Sequence, residues 1–120
     1  MTARRDPTGT EIAIVGMAGR FPGARDLAEL WQNLRGGVES VRFPAPEEFL
    51  ARGLDPARLA DPSWVKAVSE MDGYDCFDDL FFGVNPREAE LMDPQHRVLL
   101  ESAWAALESA GYDPQQIAGR

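Results

Sequence analysis

The sequence predicts part of an α/β fold, mostly helix and loop around one strand, on three observations. "EIAIVG" at 11–16 is a run of four apolar residues, Ile12 to Val15, closed by Gly16. A short, unalternating, β-branched run of this kind suits a central parallel strand, whose two faces are both covered by helices. A glycine-rich loop and an amphipathic helix follow directly, as at the opening of an α/β layer. The third observation is a helix over 94–110 that is apolar around most of its circumference. At 100° per residue, Ala106, Leu99, Ala110, Ala103, Leu107, Leu100 and Trp104 fill an arc of roughly 160°. Val98 and Ala105 add a strip opposite, and Arg97, Glu101 and Glu108 keep one narrow line. No second strand of comparable quality occurs, yet a central strand needs neighbours on both sides to satisfy its backbone. Both mismatches disappear if the sheet continues beyond Arg120, so the chain reads as a domain cut short.

Element by element, residues 1–10 form a polar tail expected to be disordered, and the strand occupies about 11–16. "GMAGRFPGA" connects it to a helix opened by the pair Asp26 and Glu29, three apart as in a capping box. Leu27, Leu30, Trp31 and Leu34 give that helix one apolar face, and Gly36-Gly37 stops it. "SVRFPAPEEF" predicts a brief extended piece before Pro44. Short helical turns are expected near Glu47–Ala51 and Pro56–Leu59, with Asp-Pro at 55–56 and 61–62 as start signals. "FDDLFFGV" at 77–84 reads as loop or short strand. Asn85, Pro86 and Glu88 supply N-cap, N1 and N3 for a helix through Leu91. Asp93 and Pro94 open the last helix, Gly111 suits its C′ position, and Pro114 blocks continuation.

Composition narrows the function classes. With 44% hydrophobic residues, 120 residues suffice for one core. A net charge of −8 argues against nucleic acid or an anionic membrane as partner. The one basic cluster, Arg4-Arg5, reads as a solvated tail. A single cysteine excludes an internal disulfide and suits a reducing compartment. The absence of a long apolar run leaves a cytoplasmic protein as the expectation.

Candidate chemistry is sparse. "GMAGRFPG" fits neither dinucleotide nor phosphate-loop spacing and reads as a tight connection needing small residues. Cys76 lies among Asp75, Asp78 and Asp79, a poor setting for a nucleophilic thiolate, and reads as a passive, half-buried residue. His96 stands at the third position of a helix, where an imidazolium opposes the macrodipole; a neutral, hydrogen-bonded role is expected. With one histidine and a distant cysteine, no metal cluster is expected. The tryptophans at 31, 64 and 104 sit in apolar patterns and are expected in the core. Catalytic, cofactor-binding and metal-binding residues are all predicted to be absent.

"EIAIVGMAGRFPGA", "LWQNLRGG" and "FDDLFFGVNPREAELMDPQHRVLLESAWAALESAGYDP" together closely resemble the opening of β-ketoacyl synthase domains of modular polyketide synthases. The similarity runs from about Glu11 to Arg120 and is loosest over 44–72; "LADPSWVKA" looks like a subset from mixed peptide–polyketide assembly lines. The resemblance implies that 11–120 is the N-terminal part of a thiolase-like (αβαβα) fold, truncated before the catalytic region. It implies a homodimeric parent that performs decarboxylative Claisen condensation. There a cysteine takes an acyl chain from the phosphopantetheine arm of an acyl carrier protein, and two histidines assist decarboxylation and stabilise the developing anion. None of the three carries over. Cys76 aligns with a variable position, His96 with one often occupied by glutamine, and Gly19 stands harmlessly where many relatives have cysteine. No cofactor is implied for this piece; its partners are the carrier protein and the remainder of the synthase.

Two other readings compete: a self-contained acidic module that binds a synthase subunit or carrier protein, and a small thiol enzyme using Cys76. The cut domain predicts at least one large, exposed side chain on helix 94–110 and an unpaired edge at Ile12–Val15. Complete burial of both would favour the module.

Overall fold

The computed structural model describes residues 9–117, so most of the expected tail, Arg4-Arg5 and Arg120 lie outside the described residues. Among the described residues there are seven helices: α1 (Leu27–Gly36), α2 (Pro46–Ala51), α3 (Pro56–Leu59), α4 (Asp79–Phe82), α5 (Pro86–Leu91), α6 (Pro94–Ser109) and α7 (Pro114–Ile117). Strand structure among them is limited to two isolated antiparallel bridges, Phe21–Ala24 and Arg42–Val68. The strand expected over 11–16 is therefore not formed. The physical reason is pairing: a strand exists through ladder bonds, and Ile12–Val15 have no backbone partner among the described residues. Ile12 is 96% and Ile14 80% exposed.

The punctuation of α1, α3, α5 and α6 is as the sequence predicts. Asp26 accepts from the Glu29 N–H at 2.8 Å, and the Glu29 carboxylate accepts from the Arg25 N–H at 3.0 Å, a capping box displaced by one residue. Gly37 ends α1 at φ 64°, and Val38 N–H closes on the Asn33 carbonyl at 2.9 Å. Asp55, Asn85 and Asp93 each cap a helix whose first residue is proline. The second Asp-Pro starts no helix. There Asp61 accepts from both the backbone and the hydroxyl of Ser63, at 2.8 and 2.7 Å, and makes a turn.

Two further elements differ from expectation. Residues 79–82 form a helical turn rather than loop or strand, because Asp78 caps the Phe81 N–H at 2.9 Å and Gly83 closes it at φ 65°. Pro114 does more than block α6. With Asp113 accepting from the Gln115 N–H at 2.9 Å, it opens α7.

Packing is local. Phe49 meets Trp64 edge-on at 5.2 Å, which joins α2 to the segment after α3. Phe81 meets Trp104 at 4.7 Å, and Phe77 stacks on Phe82 at 5.1 Å, which joins α4 to α6. Trp31 departs from the expected core position and is 60% exposed, together with Leu34 on the same face of α1. The buried hydrophobic residues among those described are Ala24, Phe49 and Ala89. No residue of α6 is buried, and Leu99 is 65% exposed.

The whole chain reflects this. Its accessible surface is 10,035 Å², whereas a compact chain of 13.2 kDa exposes roughly 6,400 Å². Its radius of gyration is 20.1 Å, against about 14 Å for a compact domain of this length. Individual helices are well specified; the surfaces between them are not covered.

Candidate functional site

The glycine-rich loop is tied closely to the last long helix. A Cβ on Gly16 would lie 2.5 Å from the Ala106 carbonyl oxygen and 2.7 Å from the Ala110 Cβ, so the backbone there rests directly on α6. Four residues on, Arg20 donates to Glu101 of α6 at 2.6 Å and to the Asp72 carbonyl. Both side chains of this ion pair are about three-quarters covered. Glu101 thus leaves the solvent-facing line read from the sequence and holds the loop to the helix. Between them lies an open cleft of about 430 Å³, lined by Met17, Leu27, Ala28, Ser102 and Ala105 among others.

This arrangement answers the phosphate-loop question. Two N–H groups around the start of α1 are already met, that of Glu29 by the Asp26 carboxylate and that of Arg25 by the Glu29 carboxylate. Carboxylates there also oppose an anionic ligand. The small residues serve close packing against α6.

Cys76 is exposed rather than half-buried, and its thiol donates weakly to the Asp75 carboxylate at 3.8 Å. His96 is exposed at the third residue of α6, and its ring has no hydrogen-bond partner among the described residues. The hydrogen-bonded imidazole expected from the sequence is not observed. Arg97 reaches the Asp75 carbonyl at 3.4 Å while its Nε is covered without a partner. Among the described residues no group of acidic, histidine or cysteine side chains is arranged to hold a metal.

One charged constellation went unread in the sequence. Arg42 grips Glu48 with two bonds, 2.9 and 2.7 Å, and reaches Glu70 at 2.8 Å. Arg52 donates to Glu70 and, at 3.0 Å, to Glu48. Hydrogen bonds from Arg52 and Arg42 pull the Glu70 carboxyl down to about 2. The Arg42 bond lowers Glu48, and the same contacts raise both arginines. Only Glu48–Arg52 carries a sequence signal, the i,i+4 spacing on a helix. The network surrounds the Arg42–Val68 bridge, whose two backbone bonds are 3.0 and 2.9 Å. It is a solvent-facing clasp with both charges matched, and it offers no unpaired group for chemistry.

Comparison with known proteins agrees with the motif content. Residues 9–120 match the family described as "Beta-ketoacyl synthase, N-terminal domain". One component of the phenolphthiocerol/phthiocerol polyketide synthase of Mycobacterium tuberculosis is 49% identical over 108 residues, covering 90% of this chain and 7% of that protein. Polyketide synthase PksM of Bacillus subtilis is 45% identical over 114 residues, covering 92% of this chain and 3% of that protein. The ketosynthase from module 6 of the bacillaene synthase of Bacillus subtilis superposes with a TM-score of 0.73 at 41% identity, covering 88% of this chain and 18% of that one. The chain therefore spans less than a fifth of each of these relatives.

Proposed function

The chain belongs to the β-ketoacyl synthase family, and from that premise we propose that it is the N-terminal scaffold of a polyketide ketosynthase domain of thiolase-like (αβαβα) architecture. The parent domain condenses acyl units carried on the phosphopantetheine arm of an acyl carrier protein. Its cysteine accepts the acyl group by thioester exchange, releasing the carrier thiol. Loss of carbon dioxide from the extender unit then generates the carbanion that attacks the acyl carbonyl and expels the cysteine. In this reading the cysteine and both histidines come from outside the present chain. The residues present act as framework: Gly16 and the Arg20–Glu101 pair hold the 12–20 segment against α6, and the Phe81–Trp104 contact holds α4 against α6. No cofactor binds this part. The carrier protein, the remainder of the synthase and a second protomer are its partners, in the cytoplasm. Among the described residues no helix is long and apolar enough to cross a membrane.

The observation that carries this reading is the exposed apolar surface. Ile12, Ile14, Leu99 and Leu100 lie open on elements whose sequence demands burial. The test is a chimera in which this chain replaces the matched segment of the bacillaene module 6 ketosynthase. A soluble, dimeric, condensing chimera is the expected result, and the chain alone is expected to take up no acyl group by mass spectrometry. A stable acyl adduct on Cys76 would instead identify a self-sufficient thiol enzyme. A chimera that fails to fold would favour the self-contained module.

A further inference from the structure

We propose that residues 42–70 form a lobe that opens and closes as one unit, independently of α1 and α6, with the Arg42–Glu48–Arg52–Glu70 clasp as its latch. The lobe leaves and rejoins the chain at a single place. Arg42 and Val68 exchange both backbone bonds, at 3.0 and 2.9 Å, which in an antiparallel pair sets their Cα atoms about 5.5 Å apart. The excursion between them, 43–67, supplies its own contacts. Phe49, 7% exposed, meets Trp64 edge-on, and the Arg58 guanidinium lies 6.0 Å over the Trp64 ring. The Leu54 N–H closes on the Phe49 carbonyl at 3.1 Å, and the Ala60 N–H on that of Pro56 at 3.0 Å.

Among the described residues, the hydrogen bonds, ion pairs and ring contacts made by 43–67 all close within 42–70. Contact with the rest of the chain comes at the base, where Ser69 and Glu70 border a cleft of about 410 Å³ with Pro22, Pro94 and Val98. A segment whose partners lie inside itself loses them together when it opens, and its opening leaves the bonds of other elements intact. The clasp ties the two parts of the lobe to each other. Arg42 and Glu70 stand at the base, Glu48 and Arg52 on α2 and its C-terminal cap, and their ion pairs cross from one to the other. Facing solvent, these pairs are weak singly, so the latch acts together with the Phe49–Trp64 contact.

Amide hydrogen exchange of the full chain tests this. Leu54, Ala60 and Val68 report on the lobe, and Val38 and Ala110, bonded to Asn33 and Ala106, report on α1 and α6. Phe49→Ala is expected to speed exchange at all three lobe amides by about tenfold or more, and Glu70→Gln by at least about threefold, with Val38 and Ala110 unchanged within about twofold. A third variant replaces 43–67 by Asn-Gly, the two-residue turn that a pair bonded like Arg42 and Val68 accepts. It too is expected to leave Val38 and Ala110 within about twofold. A Glu70→Gln effect confined to Val68 overturns the latch, and a Phe49→Ala effect confined to Leu54 overturns the single unit. Faster exchange at Val38 or Ala110 in any of the three variants overturns the independence of the lobe.

Discussion

Gly16 is the residue at which the chain's geometry is least forgiving. Its missing Cβ is what lets the backbone rest on α6, since a Cβ there would lie within 3 Å of Ala106 and Ala110. Gly16→Val is therefore expected to lift the 12–17 segment from the helix and release the Arg20–Glu101 pair. Tryptic cleavage after Arg20 reads this directly and is expected to accelerate roughly tenfold, the effect of losing about 1.4 kcal/mol of local closure. Gly111 has an open neighbourhood but a φ of 76°. Gly111→Ala is expected to cost about 1 kcal/mol through backbone strain alone, visible as a lower melting temperature of the chimera. Cys76→Ala, at an exposed turn with one weak contact, is expected to stay within about 0.5 kcal/mol in the same measurement.

At the scale of elements, the Arg42–Glu48–Arg52–Glu70 clasp ties α2 to the Arg42–Val68 bridge and responds to acid. Glu70 falls to about 2 in the folded chain, below the value of about 4.3 for an unperturbed glutamate. A depressed carboxyl stabilises the folded form above its unfolded value, and that contribution fades as pH drops through the window between the two. Amide-exchange protection at Arg42 and Val68 is expected to hold above pH 5 and decline toward pH 2. Because all four side chains face solvent, molar salt is expected to produce much of the same loss at neutral pH. Glu70→Gln is expected to remove most of the pH dependence; protection that stays pH-dependent in that variant would place the titrating group elsewhere. The clasp was hidden from sequence reading because Arg42 and Glu70 are 28 positions apart and only the bridge brings them together. The caps at Asp26, Asp55, Asn85 and Asp93 were legible because a cap needs only residues within three positions.

For the molecule as a whole, surface and shape set the expected behaviour. A chain with few buried hydrophobic side chains among its described residues lacks the shared core that makes unfolding all-or-none. Scanning calorimetry of the isolated chain is expected to show no sharp transition, while far-ultraviolet circular dichroism retains helix. A hydrophobic dye is expected to bind, and Leu99→Asp with Ile14→Asp to reduce its fluorescence at least about twofold by removing part of the exposed patch. A sharp, reversible transition with no dye binding would indicate a self-contained domain.

The starts and stops of α1, α3, α5 and α6, the apolar face of α1, the excess apolar width of α6 and the family were determined by the sequence itself. Each depends on residues close along the chain or on a motif read as a string. Tertiary structure alone decided that 11–16 stays without a ladder, that Trp31 is open while Trp104 meets Phe81, and that Glu101 turns inward to Arg20. A strand, a buried ring and an ion pair across 81 positions are relations between distant segments. Their existence depends on which partners reach them in space, and the pattern of hydrophobicity records only that such partners are needed.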